Sequence, residues 1–157
     1  MKTKKQFKSG YAAIIGKPNV GKSTLLNRLV MQKIAAISSK PQTTRNKITG
    51  VVHFPGGQII LVDTPGIHKA SSQLNRQMVR ASLSTYHDVE LILFVIDAKQ
   101  GFAENDVFVL DTMKKAPCPK ILIVNKIDLV PKPSLLELIA RANERAIFAE
   151  ILPVSAL

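Results

Sequence analysis

Gly16-Lys17-Pro18-Asn19-Val20-Gly21-Lys22-Ser23 is the stretch that decides how this chain folds. An apolar run over residues 11–15 precedes it, and Leu25, Leu26, Leu29 and Val30 follow on one side of a helix predicted over 23–31. Strand, glycine-punctuated turn and helix in that order match the spacing G-x-x-x-x-G-K-[ST]. Gly16 and Gly21 permit backbone angles that aim successive N–H groups at one point, which makes a cradle for an anion. The helix N-terminus adds unpaired donors and partial positive charge. In such a loop Lys22 reaches the β- and γ-phosphates of a nucleoside triphosphate, and the Ser23 hydroxyl goes to Mg²⁺. Lys17, Pro18, Asn19 and Val20 complete the loop, with Thr24 just inside the helix.

Outward from this loop, apolar runs recur at 48–54, 59–62, 91–96, 121–124 and 151–154. Most are continuous rather than alternating, as strands buried on both faces of a parallel sheet are. The runs 48–54 and 59–62 differ, because only Pro55-Gly56-Gly57 and Gln58 separate them, a connection that suits an antiparallel hairpin. Helices are predicted over 104–115, which starts acidic and ends basic, and over 134–146. The latter has Leu135, Leu138, Ile139 and Ala142 at helical spacing and Ser134 as its N-cap. The expected fold is therefore α/β: a three-layer P-loop domain around a mostly parallel six-stranded sheet with one antiparallel edge hairpin. Ligands of such sheets bind beyond the carboxyl ends of the strands.

Three further segments fall at those ends. Asp63-Thr64-Pro65-Gly66 closes the run 59–62, forty residues after Ser23. A carboxylate there can hold Mg²⁺ directly or through water, and the Gly66 N–H can approach a γ-phosphate. Asn125-Lys126-Ile127-Asp128 closes the run 121–124. Guanine offers two donors on one edge, N1–H and the 2-amino group, and a carboxylate such as Asp128 accepts both, whereas adenine would leave it unpaired. Lys126 can lie along the base, and Asn125 can tie this loop to the phosphate loop. Ser155-Ala156-Leu157 follows the last run and fits a final base-contacting loop, with the Ala156 N–H offered to guanine O6.

In this order and spacing the four motifs resemble the TRAFAC-class GTPases of the Ras-like fold. The segment Ser39-Lys40-Pro41-Gln42-Thr43-Thr44-Arg45, set between the phosphate loop and Asp-Thr-Pro-Gly-Ile-His-Lys, is similar to the Era family of bacterial ribosome-assembly GTPases. That resemblance covers residues 8–157. It implies a molecular switch that binds GTP or GDP with Mg²⁺ and hydrolyses GTP. Residues 41–48 would be switch I, with Thr44, or else Thr43, closing over Mg²⁺ beside Ser23 and Asp63. Residues 64–78 would be switch II. Lys22, Thr44, Gly66 and Asn19 become the candidate catalytic residues. The residue after Gly66 is Ile67, which cannot orient a water through a side-chain hydrogen bond as the Ras glutamine does, and no arginine is poised beyond Arg45. Slow intrinsic hydrolysis is the expectation. Asn19 stands where related GTPases use asparagine to hold K⁺ against the phosphates, which would supply the missing charge.

The resemblance also implies a final helix and an RNA-gripping KH domain, neither of which falls within residues 1–157. It implies 16S rRNA and the small ribosomal subunit as partners of that further domain, a monomer, and a cytoplasmic setting with a candidate contact at the inner membrane. The rival readings are a GTPase of another RNA-related pathway such as tRNA modification, a guanine-nucleotide module with negligible turnover, and a P-loop ATPase or kinase.

Composition narrows the classes further. The 157 residues suffice for one domain, and 46% hydrophobic content excludes a disordered chain. The net charge of +11 is one-sided: residues 1–62 hold eleven Lys and Arg and no acid, whereas from Asp63 onward eleven bases meet eleven acids. Such an excess attracts polyanions, which makes RNA or an anionic membrane surface candidates beside nucleotide phosphates, against the plainer reading of a solvated lysine tail. The single cysteine, Cys118, cannot form an internal disulfide. His53 reads as a strand-surface residue and His87 as a partner for a helix C-terminus. His68 stands next to Ile67 in switch II.

Overall fold

A computed structural model describes residues 7–31, 48–63, 89–102, 109–111 and 113–157, apart from the side chains of Ile48, Thr49 and Asp63. Its strands are β1 (Lys8–Gly16), β2 (Ile48–Phe54), β3 (Gly57–Asp63), β4 (Leu91–Asp97), β5 (Lys120–Asn125) and β6 (Glu150–Pro153). They form one six-stranded sheet in the order β2-β3-β1-β4-β5-β6. Neighbours from β3 through β6 pair in parallel. Only β2 and β3 are antiparallel, with Phe54 opposite Gly57 across the Pro55-Gly56 turn. After β1 the chain goes to the edge strand β2 and returns through β3 beside β1, then builds outward on the other side from β4 to β6, so β1 and β4 flank a topological switch point.

Helix α1 (Lys22–Val30) covers one face of the sheet and α2 (Lys132–Asn143) the other. Leu25 and Leu26 of α1 pack with Ala12, Ile14, Leu61, Leu93, Val95 and Ile123. On the opposite face Ala13, Ile15, Phe94, Ile96, Leu122 and Val124 pack with Leu138 and Ala142 of α2 and with Val109, Leu110 and Met113. Successive residues of β1, β4 and β5 thus enter opposite cores, which is why their sequences are continuous apolar runs. Phe94, fully buried, stacks on Phe148 with ring centroids 6.2 Å apart. Truncating such a side chain to alanine costs about 3–5 kcal/mol.

Several boundaries differ from those expected. β1 and β3 begin earlier, because Lys8, Ser9 and Gly10 pair with Gly57, Gln58 and Ile59. These pairs are largely polar and give no hydrophobic signal. The helix expected over 134–146 runs instead from Lys132 to Asn143, with Pro131 rather than Ser134 at the N-cap and no side-chain cap. Pro133 lies in the first turn, where its missing N–H would be unpaired anyway and its fixed φ favours the helix. Of the helix expected over 104–115, residues 109–111 and 113–115 are described, and all are helical except Lys115, which lies in a turn. Cys118 is buried and free, and His53 is exposed on β2; His68 and His87 lie outside the described residues. No described helix is long and apolar enough to cross a membrane.

Candidate functional site

The phosphate loop leaves β1 at its carboxyl end. Gly16 has φ 154°, and a Cβ there would overlap the Val95 carbonyl of β4. Gly21 has φ 99°, and its Cβ would overlap the Asn125 side-chain amide. Neither position admits another residue without strain or displacement. Asn19 takes the left-handed conformation at φ 62°, which asparagine tolerates better than other non-glycine residues. Helix α1 starts with the Leu25 N–H donating to the Gly21 carbonyl at 2.8 Å. Lys22 is 7% exposed, and its Nζ donates to the Lys17 carbonyl at 2.6 Å. The ammonium group therefore lies along the loop whose N–H groups form the cradle. Lys17, Pro18, Ser23 and Thr24 are half-buried around it, and Val20 is buried.

The base-side loops dock on this one through the side chains of Asn125 and Lys126. Asn125, at the end of β5, is 2% exposed. Its Nδ2 donates to the Val20 carbonyl at 2.9 Å, and its Oδ1 accepts the Ala156 N–H at 3.1 Å. The Ala156 N–H, expected to face guanine O6, is thus directed to Asn125. The chain then turns through Lys126 at φ 64° into a single 3-10 turn, Ile127–Leu129, that presents Asp128 on the surface. Ser155 Oγ donates to Asp128 Oδ1 at 2.6 Å, which orients the carboxylate and leaves lone pairs for a ligand. Leu157 is 81% exposed.

Asp97 was missing from the candidates drawn from sequence. It ends β4 and is 5% exposed. Its Oδ2 accepts Lys126 Nζ at 2.8 Å, and its Oδ1 accepts the Lys99 N–H at 2.8 Å and the Gln100 N–H at 3.4 Å. Lys126 Nζ also donates to the Asn19 carbonyl at 2.7 Å. Burial alone would push the Asp97 carboxyl up. Hydrogen bonds from Lys126 and from the two backbone amides, with the attraction of the ammonium, outweigh burial and hold it below the ordinary carboxylate range. An acid closing a buried strand was the available signal, the same one that singled out Asp63.

The structure thus brings together the phosphate loop, Asn125, Lys126, Asp128, Ser155 and Ala156 at one end of the sheet. The Asp63 backbone reaches the same end, opposite Ile14. Thr44, Gly66 and the Asp63 side chain lie outside the described residues, as do the switch segments 41–47 and 64–78.

A phosphate loop at the switch point of a parallel sheet, with an Asn-Lys-x-Asp loop docked against it, defines a P-loop domain of the Ras-like GTPase fold. Residues 11–126 match the family of 50S ribosome-binding GTPases, and the chain belongs to that family, on its Era branch. It is 51% identical over 155 residues to the GTPase Era of Geotalea uraniireducens, covering 99% of this chain and 52% of that protein. A crystal structure of Era with MgGDPNP and nucleotides 1506–1542 of 16S ribosomal RNA superposes with a TM-score of 0.90 at 40% identity, covering 97% of this chain and 52% of that one. An Aquifex aeolicus Era variant bound to GDP and AlF4⁻ gives a TM-score of 0.88 at 40% identity, covering 96% of this chain and 52% of that one. The chain spans about half the length of the curated relatives it matches.

Proposed function

We propose that this chain is the guanine-nucleotide switch of an Era-type GTPase, binding GTP and GDP with Mg²⁺ and hydrolysing GTP slowly. The observation that carries this is the Asn125 tie. One buried amide bonds both the Val20 carbonyl and the Ala156 N–H, so the phosphate loop and both base loops are held together before ligand arrives. Gly16 and Gly21 keep the cradle in shape, because a Cβ there would overlap the Val95 carbonyl or the Asn125 side-chain amide. Lys22 is positioned to turn from the Lys17 carbonyl to phosphate oxygens, exchanging a neutral acceptor for a charged one. Asp128 accepts from the guanine edge, and Lys126 lies along the base.

Ser23 and Asp63, with Thr44 from switch I, are hard oxygen donors that suit Mg²⁺. The ion, when bound, neutralises charge on the β- and γ-phosphates. Gly66 offers its N–H to the γ-phosphate, and Asn19 helps to hold K⁺. The bound states of the similar Era structures, MgGDPNP in one and GDP with AlF4⁻ in the other, support this assignment. The ordering of residues 41–48 and 64–78 by the γ-phosphate would be the switch.

We infer a cytoplasmic role in assembling the small ribosomal subunit through 16S rRNA, since a similar Era chain was solved with that RNA. A second reading, nucleotide binding with negligible turnover, is favoured by Ile67, which has no side-chain polar group to hold water. Single-turnover GTP hydrolysis by this chain in K⁺ and in Na⁺ separates the two. Phosphate release that is faster in K⁺ supports the switch with its cation site. GTP bound tightly but unhydrolysed in either salt supports the passive module.

A further inference from the structure

Asp97 is the one buried acid among the described residues. We propose that Asp97 is a positioning residue for base recognition: it anchors Lys126 so that the lysine stem forms a fixed wall of the guanine slot. This rests on the guanine-nucleotide reading of the site. Lys126 has a flexible four-carbon stem whose ordering carries a large entropic cost. Here its backbone is set at φ 64° and its ammonium is held at two points, Asp97 Oδ2 and the Asn19 carbonyl. Both ends of the stem are therefore fixed before a base arrives, and the cost of ordering does not fall on binding.

Asp97 is itself oriented. The Lys99 and Gln100 amides occupy Oδ1 and leave Oδ2 for the lysine. The Gly101 N–H closes the same turn on the Asp97 carbonyl at 2.9 Å, and the Ala98 N–H bonds the Asn125 carbonyl at 2.8 Å. Joining β4 to β5 does not require the ion pair, because those strands already pair from Ile92 with Lys120 up to Asp97 with Asn125. What the ion pair adds is a connection across the loops: Lys126 links the end of β4 to Asn19 in the phosphate loop. Asn19 sits in its left-handed bend with its carbonyl turned to that ammonium.

The test measures release of N-methylanthraniloyl-GDP from the 157-residue chain, chased with excess GDP, in wild type, Asp97→Asn, Lys126→Met and the double variant. D97N keeps one acceptor oxygen for the two amides and turns an NH2 donor toward the Lys126 ammonium, which loses its partner there. Release roughly tenfold faster is expected, because the charge-assisted bond that fixes the Lys126 ammonium is lost. In the K126M background D97N should add nothing further, since the residue it positions is gone. A structural role alone would make the two effects multiply and would lower the thermal midpoint of the nucleotide-free chain in both backgrounds. Asp97→Ser, which also keeps an acceptor for the amides, gives a second route to the same release rate should D97N fold poorly. Wild type that holds GDP while D97N releases it at the wild-type rate, or effects that multiply, overturns the positioning role alone. Wild type that fails to hold GDP removes the guanine reading and this role with it.

Discussion

Replacing Asn125 with alanine should loosen three loops at once, and Gly21→Ala should imitate it by a different route. Asn125 is 2% exposed and makes one bond to the Val20 carbonyl and one to the Ala156 N–H. Truncation strands both partners, each at about 1–3 kcal/mol. Water entering the vacated space at the open site recovers part of this. The net expectation is about 2–4 kcal/mol of lost stability, or roughly 5–12 °C in Tm for a domain of this size. In G21A a φ of 99° strains the new residue, and its methyl lands on the Asn125 amide nitrogen. The strain costs about 1–3 kcal/mol, and the collision breaks the same Asn125–Val20 bond. In the double variant the methyl enters empty space and that bond is already absent. The double cost should therefore fall short of the sum by about 1 kcal/mol. Urea denaturation of the nucleotide-free chain, followed by circular dichroism, measures all four forms. A second series at a GDP concentration of 100 Kd should add about 2.7 kcal/mol to wild type and much less to N125A. Strictly additive costs, or an N125A chain as stable as wild type, would refute the tie as the element that assembles the site.

Asp128→Ala should reduce the preference for GTP over ATP by on the order of a hundredfold or more, since two bonds to a carboxylate are lost. Competition of the two nucleotides against a fluorescent GDP analogue reads it, and an unchanged preference would overturn the base assignment. Lys22→Ala should weaken GDP by roughly a hundredfold while the chain stays folded; calorimetric titration giving the wild-type Kd would remove its phosphate role. Asp97 makes stability depend on pH in a fixed direction. Its folded pKa is depressed, so its contribution is complete above the ordinary carboxylate value of about 3.9 and is lost as pH falls through the lower folded value. D97N should be less stable than wild type at neutral pH, and the gap should close on acidification; a gap that widens in acid would contradict the depressed pKa.

The parts legible in the sequence were those where one short segment carries both its conformation and its chemistry. The phosphate loop declares its glycines, its lysine and its flanking strand and helix within residues 11–30. For Asp128 the expectation of guanine comes from the number of donors on the base. Strand ends were less legible because a ladder position needs only a backbone partner. Lys8 pairs with Gly57 although neither is apolar. The start of α2 was missed because Ser134 is a good capping residue in general, while a proline in the first turn loses no bond there. Asp97 was hidden for a different reason. Its partner Lys126 lies 29 residues away, and only the parallel pairing of β4 with β5 brings the two strand ends level. At that level a carboxylate at the end of one strand meets the lysine just past the end of the next. The same pairing rule applies across the sheet, since Asp63 stands opposite Ile14 at the end of β3. Acids that close buried parallel strands are therefore candidates for work at the carboxyl edge even without a motif around them. On the proposed reading Asp63 would serve the metal and Asp97 the base, with β3 and β4 placing them on either side of β1.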